Sequence, residues 1–452
     1  METQSVTPFC FNIIRITMSG LSSVTLTTVK KDIDTFSFDE SISCMLFDYG
    51  LRPDAFDNYP LLKQSFGNNQ VVLINNLKEA GDFGLVDNDF MNGVPYYHIS
   101  KFYNYIGADA PIYIVFSKCV TNYMPDYKIL EDIQRQTNGK IFQVGIWTEY
   151  NLWKKNTDGS YGFTSLLANI QHNTNELNNF DSFPMSVVLN AGTSILENDN
   201  SQEKVVDYNM LPDASSLDFR YISVVLGQNG TDNIHNRQLK NVNYAPFGLL
   251  GYCMACLYLA PAEMSIAFVK DFDLNKNDDL LSPELGFGKI SLSGNSQFTL
   301  METINKVRKN IICQKGYIIP IGYQAKEGQV YLCNDQTLTL GDYRSIANNR
   351  VIGKCRRAIK YALLRHVNSD VAVDPSTGLI DSVDASSIVS DILKSIDSVM
   401  VNKQGQQQIQ GRSVYIDEEN SDVINDRTLS VSASIIPAGS SEIINMKDSY
   451  EI

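Results

Sequence analysis

Short apolar runs alternate with longer amphipathic segments through the first half of the chain. Five of the runs have the length and the β-branched content that are typical of buried strands, namely residues 70–74, 112–116, 141–147, 185–189 and 220–226. The segments between them place apolar residues at helical spacing over residues 97–106, 127–136 and 163–173. This alternation of strands and helices predicts an α/β layer with a largely parallel sheet.

The pattern changes at about residue 246. An apolar helical stretch at 249–259 precedes an acidic loop, and residues 316–323 and 329–333 then predict a hairpin. Within it, Pro320 favours a sheet edge because proline cannot donate a ladder hydrogen bond. The rest of the pattern predicts a helix at 346–366, a second helix with Asp384 as its N-cap, and closing strands at 412–416, 429–435 and 442–446. Together the two halves predict a multidomain protein of α/β and α+β class.

The helix predicted at 346–366 carries two stripes of opposite character. The apolar stripe, which is expected to be buried, consists of Val351, Cys355, Ile359 and Ala362. The basic stripe consists of Arg350, Lys354, Arg357 and Arg365. Three interpretations of the basic stripe are open: an ordinary solvated face, a surface that meets an acidic partner subunit, and a contact with nucleic acid. The acidic charge of the whole chain disfavours the third.

The last strands raise the question of where they pair. Leu429, Val431, Ala433 and Ile435 alternate with serines, which is the period-two pattern of a half-buried strand. Residues 437–441 interrupt the pattern, and a second short strand with Ile443, Ile444 and Met446 follows. Such strands can complete the sheet of their own domain or add to the edge of a neighbour's sheet, and the pattern leaves both possibilities open.

Composition narrows the class of protein. The chain has 452 residues, an apolar share of 43% and a net charge of −14, so it can form sizeable cores but has no general attraction to polyanions such as nucleic acid or an anionic membrane. No apolar run approaches the roughly 20 residues that cross a bilayer, and the N-terminus lacks the charge order of a secretory signal. The eight cysteines are therefore expected to be reduced thiols in a cytoplasm.

One segment has the spacing of a cation site. Residues 273–284 place oxygen-bearing side chains at Asp273, Asn275, Asn277 and Glu284, which resembles a calcium-binding EF-hand loop, although Asp278 stands where that loop has a glycine. The alternative is a solvated acidic loop. The four histidines lie in no nucleophile or metal motif, and no other catalytic signature occurs. The sequence therefore predicts neither an enzyme nor a cofactor.

Several segments, in their order along the chain, carry a family resemblance. They are residues 77–84, 96–102, 316–335, 341–354, 368–378 and 435–443. On these segments the chain resembles the contractile tail sheath proteins of bacteriophages, in particular a divergent branch from phages with Mu-like tails. The resemblance implies a structural subunit that polymerises helically as stacked rings around a tail tube and contracts to drive the tube through the host envelope. The acidic loop at 273–284 is not one of the family segments.

The resemblance also implies a domain plan and partners. Residues 1–30 would form an N-terminal arm, 31–245 an α/β middle or outer domain, 246–428 the inner sheath domain, and 429–452 a strand arm donated to a neighbouring subunit. The donated residues would be Leu429, Val431, Ala433, Ile435, Ile443, Ile444 and Met446. The basic residues Arg350, Lys354, Arg357 and Arg365 would face the tube or a neighbour.

The partners implied are further copies of the chain, the tail tube protein, and the baseplate and tail terminator proteins, without nucleic acid or membrane insertion. The protein would reside in the virion tail after assembly in the bacterial host cytoplasm. Two alternatives are a sheath of a bacterial contractile injection system and a calcium-dependent virion binding or adhesion module, which would use residues 273–284.

Overall fold

The computed structural model describes most of the chain between residues 39 and 439. The described ranges are 39–48, 60–87, 90–117, 124–148, 161–179, 183–191, 211–229, 247–276, 285–287, 299–300, 306–323, 328–341, 343–403, 405–417 and 427–439, with residues 150, 152, 153, 159, 326, 421 and 423–425 between them. The predicted N-terminal arm at 1–30 and the last predicted strand, with Ile443, Ile444 and Met446, lie outside these residues.

A seven-stranded sheet forms the centre of the larger core. Its strands are β1 (Ser43–Asp48), β2 (Val72–Ile74), β3 (Ile112–Ser117), β4 (Gln143–Thr148), β5 (Ser186–Ala191), β6 (Ile222–Leu226) and β10 (Tyr317–Ile318), in the order β10-β6-β5-β4-β1-β3-β2. Every neighbouring pair is parallel except β2 with β3. The predicted largely parallel sheet is therefore confirmed.

One interior strand of this sheet, β1, is not among those that the sequence pattern predicted. All six residues of β1 are buried, and β1 pairs with β3 on one side and β4 on the other. Its apolar part is only the four residues Cys44–Phe47, bounded by Ser43 and Asp48, which is too short to stand out as a run. The five predicted strands all occur, with ends displaced by up to two residues.

Helices surround the sheet and continue into a second, smaller core. They are α1 (Pro60–Phe66), α2 (Leu77–Asp82), α3 (Phe90–Ile106), α4 (Ile129–Gln136), α5 (Gly162–Asn179), α6 (Leu250–Leu259), α7 (Lys306–Gln314), α8 (Ile346–Leu364) and α9 (Ser382–Val399). Helix α6 packs on α3, β4 and β5. Helices α3 and α6 approach so closely at Gly251 that a Cβ at this position would collide with the carbonyl oxygen of His98.

The remaining strands form small sheets. They are β7 (Gln228–Asn229), β8 (Leu285–Phe287), β9 (Thr299–Leu300), β11 (Pro320–Ile321), β12 (Tyr331–Leu332), β13 (Ile409–Ile416) and β14 (Val431–Pro437). The predicted hairpin is split between two sheets, because β10 joins the main sheet whereas β11 pairs with β12. Strands β13 and β14 pair antiparallel with each other.

Two hydrophobic cores organise the described residues. The larger extends from Cys44 to Ile346, and the smaller contains Ala262 and buried residues from Val351 to Ile435, which belong mainly to α8, α9, β13 and β14. The predicted division at residues 245 and 246 therefore needs correction, because α6, α7 and β10 pack into the larger core. The predicted N-cap is also wrong: Asp381 caps α9, while Asp384 accepts a hydrogen bond from the amide of Ala372.

Candidate functional site

Helix α8 joins the two cores. Its N-terminus is fixed by Ser345, whose hydroxyl accepts a hydrogen bond from the amide of Asn348, and by the carboxylate of Asp335, which accepts from the hydroxyl of Ser345 and the amide of Ala347. An anionic side chain at this end complements the helix dipole. The apolar stripe lies in the smaller core, as predicted: Val351, Cys355, Ile359 and Ala362. The opposite side of the helix meets the larger core.

Arg350 binds the C-terminal end of α6. Its guanidinium donates to the carbonyl oxygens of Leu257, Ala260 and Pro261 at 3.0, 2.9 and 3.2 Å. It also donates to the carbonyl oxygen of Glu40 at 3.2 Å. The last carbonyls of a helix have no intrahelical partner and carry partial negative charge, so a cation stabilises them. Burial lowers the pKa of Arg350 to about 10, which leaves it charged at neutral pH.

Arg357 lies about two turns after Arg350 on α8 and makes a similar contact. It donates to the carbonyl oxygens of Gly139, Ile141 (2.6 Å) and Pro184 (2.9 Å), and its guanidinium lies 4.1 Å from the centre of the Phe142 ring. The three carbonyls belong to the segments that lead into β4 and β5. One side chain therefore fixes the start of two neighbouring sheet strands to α8.

Lys354 lies at the centre of a buried polar cluster. Its ammonium is 2.8 Å from the Glu40 carboxylate and donates to the amide oxygen of Gln408, also at 2.8 Å. The Gln408 amide nitrogen donates in turn to Glu40 at 3.1 Å and to Glu263 at 2.7 Å, and Asn402 donates to Glu263 at 2.7 Å. We call Glu40, Glu263, Lys354, Asn402 and Gln408 the core-bridging cluster, because it connects segments next to β1, α6 and β13.

The charge of Lys354 determines how Glu40 titrates. Burial alone would raise the pKa of Glu40, but the charge and the hydrogen bond of Lys354, with a smaller contribution from Arg350, lower it below its ordinary value. The Glu40 carboxylate is therefore ionised at neutral pH. Sequence analysis missed Glu40, Glu263 and Gln408, since they lie far apart along the chain and belong to no recognisable motif.

The predicted exposure of the basic stripe is wrong for three of its four residues. Arg350, Lys354 and Arg357 are only 2%, 3% and 0% exposed, so they cannot face a tube or a neighbouring subunit. The physical reason is that α8 lies between two cores, and both of its stripes are covered by the same chain. Arg365 is exposed, with its guanidinium 4.9 Å from the centre of the Tyr361 ring. Its contact with a partner stays a prediction.

The closing strand predicted at 429–435 pairs within its own chain. In β14, Val431, Ala433 and Ile435 lie opposite Ile416, Val414 and Arg412 of β13. Val431 and Ile435 are buried in the smaller core, and Leu429 and Ala433 pack against it. The expected donation of Leu429, Val431, Ala433 and Ile435 to a neighbour therefore needs correction. The apolar face of β14 is buried against α8 and α9 of its own chain, which favours pairing with β13 over pairing with a neighbouring subunit.

The described part of the acidic loop serves a structural purpose. The Asp273 carboxylate accepts hydrogen bonds from the amides of Asn275 and Val330 at 3.0 and 3.1 Å, and the Asn275 side chain donates to the carbonyl oxygen of Gly328 at 2.9 Å. These contacts hold the loop against the segment that leads into β12. Residues 277–284, with Glu284, lie outside the described residues. Within the described ranges, no cluster of three or more histidine, cysteine or acidic side chains has the geometry to hold a metal ion.

Two further observations concern membranes and thiols. None of the helices in the described part of the chain is long and apolar enough to span a membrane. Cys253 and Cys256 are fully buried in α6. Burial raises the pKa of both thiols, that of Cys256 to about 12.

Comparison with known proteins gives structural matches but no sequence matches. Neither protein-family models nor curated proteins match the chain. A chain of the anti-feeding prophage (AFP) helical sheath in its contracted state matches with a TM-score of 0.54 and 10% identity, covering 95% of this chain and 100% of that one. A chain of the AFP baseplate matches with a TM-score of 0.52 and 11% identity over 96% and 100%.

A third match is a chain of an extracellular contractile injection system, the PVC sheath complex in its contracted state. Here the TM-score is 0.52 and the identity is 9%, covering 96% of this chain and 99% of that one. Identities this low establish the fold alone, but the matches extend over almost the whole length of each chain, across both cores. This chain therefore has the fold of contractile sheath proteins.

Proposed function

We propose that this chain is the structural subunit of a contractile sheath, which polymerises helically around a tail tube and contracts to drive the tube through a host envelope. The observation that carries the proposal is the fold match to the contracted AFP sheath, which covers 95% of this chain and 100% of that one. A match that was limited to one shared domain would cover only part of each chain, whereas this match covers nearly all of both. The role is mechanical and involves no catalysis or cofactor.

Copies of the chain would be linked by strands from the chain ends. The sheet of β13 and β14 contains two strands among the described residues, and a sheet edge is a template for a further strand. The segments suited to add to it are residues 23–29 and 442–446, which have strand-like sequences. Because an extended residue spans at most about 3.3–3.6 Å, residues 438–441 would give the added strand a reach of roughly 14 Å beyond β14. Head-to-tail contacts that do not close generate the helical symmetry of a tube.

Further partners follow from this role: a tail tube protein inside the sheath, and baseplate and terminator proteins at its ends. We place the protein in a virion tail that is assembled in the cytoplasm of a bacterial host. Capsid and terminase genes next to its gene would support a phage tail, whereas their absence from a complete cluster would favour an injection system.

Electron microscopy of the purified full-length protein tests the central claim. A sheath subunit should form tubes or striated cylinders, alone or when it is produced together with the tube protein of the same gene cluster. Discrete globular particles in both preparations, from protein that is folded by circular dichroism, would contradict the proposal.

A proline substitution tests strand addition without removing β14. Ile444→Pro deletes one backbone donor in the segment that would add to a neighbour, and a strand interior does not tolerate this loss. The matched control is Ser440→Pro, placed between β14 and that segment. We expect Ile444→Pro to abolish tubes while the thermal unfolding temperature stays unchanged, and Ser440→Pro to retain tubes. Normal tubes from Ile444→Pro would refute strand addition by this segment.

A further inference from the structure

A small cavity lies between the first half of α8 and the start of β5. Its walls include Asn349, Arg350 and Gly353 of α8, and Pro184, Met185 and Ser186 at the start of β5. The centre of a water-sized sphere has about 10 Å³ of space in this cavity, and a single bound water needs roughly 10–15 Å³ of such space. The cavity therefore accommodates one water-sized ligand.

Asn349 contributes a buried acceptor. The amide nitrogen of its side chain donates to the carbonyl oxygens of Arg220, Tyr343 and Ser345 at 2.8, 2.9 and 3.2 Å. These three acceptors fix the orientation of the side-chain amide, because a flipped amide would bring its own oxygen against carbonyl oxygens. The amide oxygen Oδ1 is buried and has no hydrogen-bond partner in the part of the chain that the structure describes.

Arg350 contributes a buried donor. Its terminal nitrogens bind the carbonyl oxygen of Glu40 and those at the end of α6. Its Nε–H has no hydrogen-bond partner among the described residues, although the residue is only 2% exposed. Buried polar groups of native proteins are almost always satisfied, either by the protein or by an ordered water. Asn349 and Arg350 thus bring one unpaired acceptor and one unpaired donor to the wall of the same cavity.

The chemistry of these two atoms selects the ligand. The Nε–H of Arg350 needs an acceptor, whereas Oδ1 of Asn349 needs a donor. A water molecule provides both from a single oxygen atom. An anion would be repelled by Oδ1 of Asn349, and a cation would be repelled by the guanidinium of Arg350. The hydroxyl of Ser186 in the cavity wall supplies a third partner, and buried waters typically make about three hydrogen bonds.

We propose that this cavity binds one structural water, which connects Asn349 and Arg350 of α8 to Ser186 of β5. The water attaches α8 to the main sheet at a point between the contacts of Arg350 and Arg357. A water that bridges two protein groups is nearly as favourable in enthalpy as a direct hydrogen bond. The inference does not depend on the sheath role.

A density map of the full-length protein, from crystals or from assembled tubes, tests the site directly. At a resolution that shows ordered waters, one peak should lie roughly 2.5–3.2 Å from both Nε of Arg350 and Oδ1 of Asn349. Crystals soaked in bromide should show no anomalous peak at this position. Well-defined side chains without a peak between them would overturn the proposal. A bromide peak would also overturn it, because it would identify an anion site.

A glycine in the cavity wall allows the water to be displaced. A Cβ at Gly353 would lie 3.2 Å from the Cβ of Pro184, which also lines the cavity. Gly353→Ala should therefore expel the water, leave the two polar atoms unpaired and lower the unfolding temperature by roughly 2–5 °C. The matched control is Gly81→Ala in α2, where a Cβ meets no described atom within 4 Å. This control should keep or raise the unfolding temperature, because alanine is the better helix former.

The maps of the two variants separate loss of the water from strain at Pro184. The water peak should be absent from Gly353→Ala and present in Gly81→Ala. An unfolding temperature that rises equally in both variants would contradict a bound water, because filling a dry cavity stabilises a protein. If Gly353→Ala fails to fold, the map of the wild type still decides whether the site binds water.

Discussion

Replacing Arg357 by methionine measures how strongly α8 is attached to the larger core. The change removes the donors for the carbonyl oxygens of Gly139, Ile141 and Pro184 while retaining most of the side-chain volume. Each buried acceptor left without a partner costs about 1–3 kcal/mol. The loss is partly offset because methionine avoids the desolvation cost of a guanidinium that is 0% exposed. We expect the free energy of unfolding to fall by about 3–5 kcal/mol.

Urea unfolding followed by tryptophan fluorescence is a direct assay. Trp147 is buried in β4, and Arg357 binds the segment that leads into this strand. The emission of Trp147 therefore reports on the core that the substitution affects. Arg365→Met is the matched control, since it deletes the same group at an exposed position and should change stability by less than about 0.5 kcal/mol. If Arg357→Met and Arg365→Met lose the same small amount of stability, the assignment of Arg357 as a core attachment is wrong.

Three further changes test other contacts. Lys354→Met leaves the Glu40 carboxylate buried without its cation and should cost about 3–5 kcal/mol at pH 7. Lys354 lowers the pKa of Glu40 in the wild type, so the wild type loses this stabilisation as the pH falls below 4.5. The difference in unfolding temperature between the wild type and Lys354→Met should therefore narrow on acidification. A difference that widens would refute the pairing. Gly251→Ala should destabilise the fold by about 1–3 kcal/mol in thermal unfolding, because its Cβ would meet the His98 carbonyl oxygen; an unchanged unfolding temperature would contradict this close approach. Ser345→Ala removes the N-cap of α8 and should cost about 1 kcal/mol in urea unfolding, while Ser345→Asp should retain most of the stability; equal losses for the two would exclude a capping role.

The local sequence pattern was sufficient to predict most of the helices and strands and the buried apolar face of α8. The apolar runs and helical spacings depend on residues that are close in sequence, so they predicted five strands of the main sheet and the burial of Val351, Cys355, Ile359 and Ala362. The same reasoning missed β1. A strand that is covered on both faces needs no alternation, and four apolar residues are too few to separate it from a loop.

The sequence by itself determined most of the elements, the mixed α and β class and the two stripes of α8, because side-chain periodicity is set by the geometry of each element. Only the tertiary structure decided what covers each stripe. Arg350, Lys354 and Arg357 are buried because carbonyl groups and Glu40 reach them from distant parts of the chain. The tertiary structure also decided that β14 pairs with β13, because strand periodicity shows which face of a strand is buried but not which other strand it pairs with.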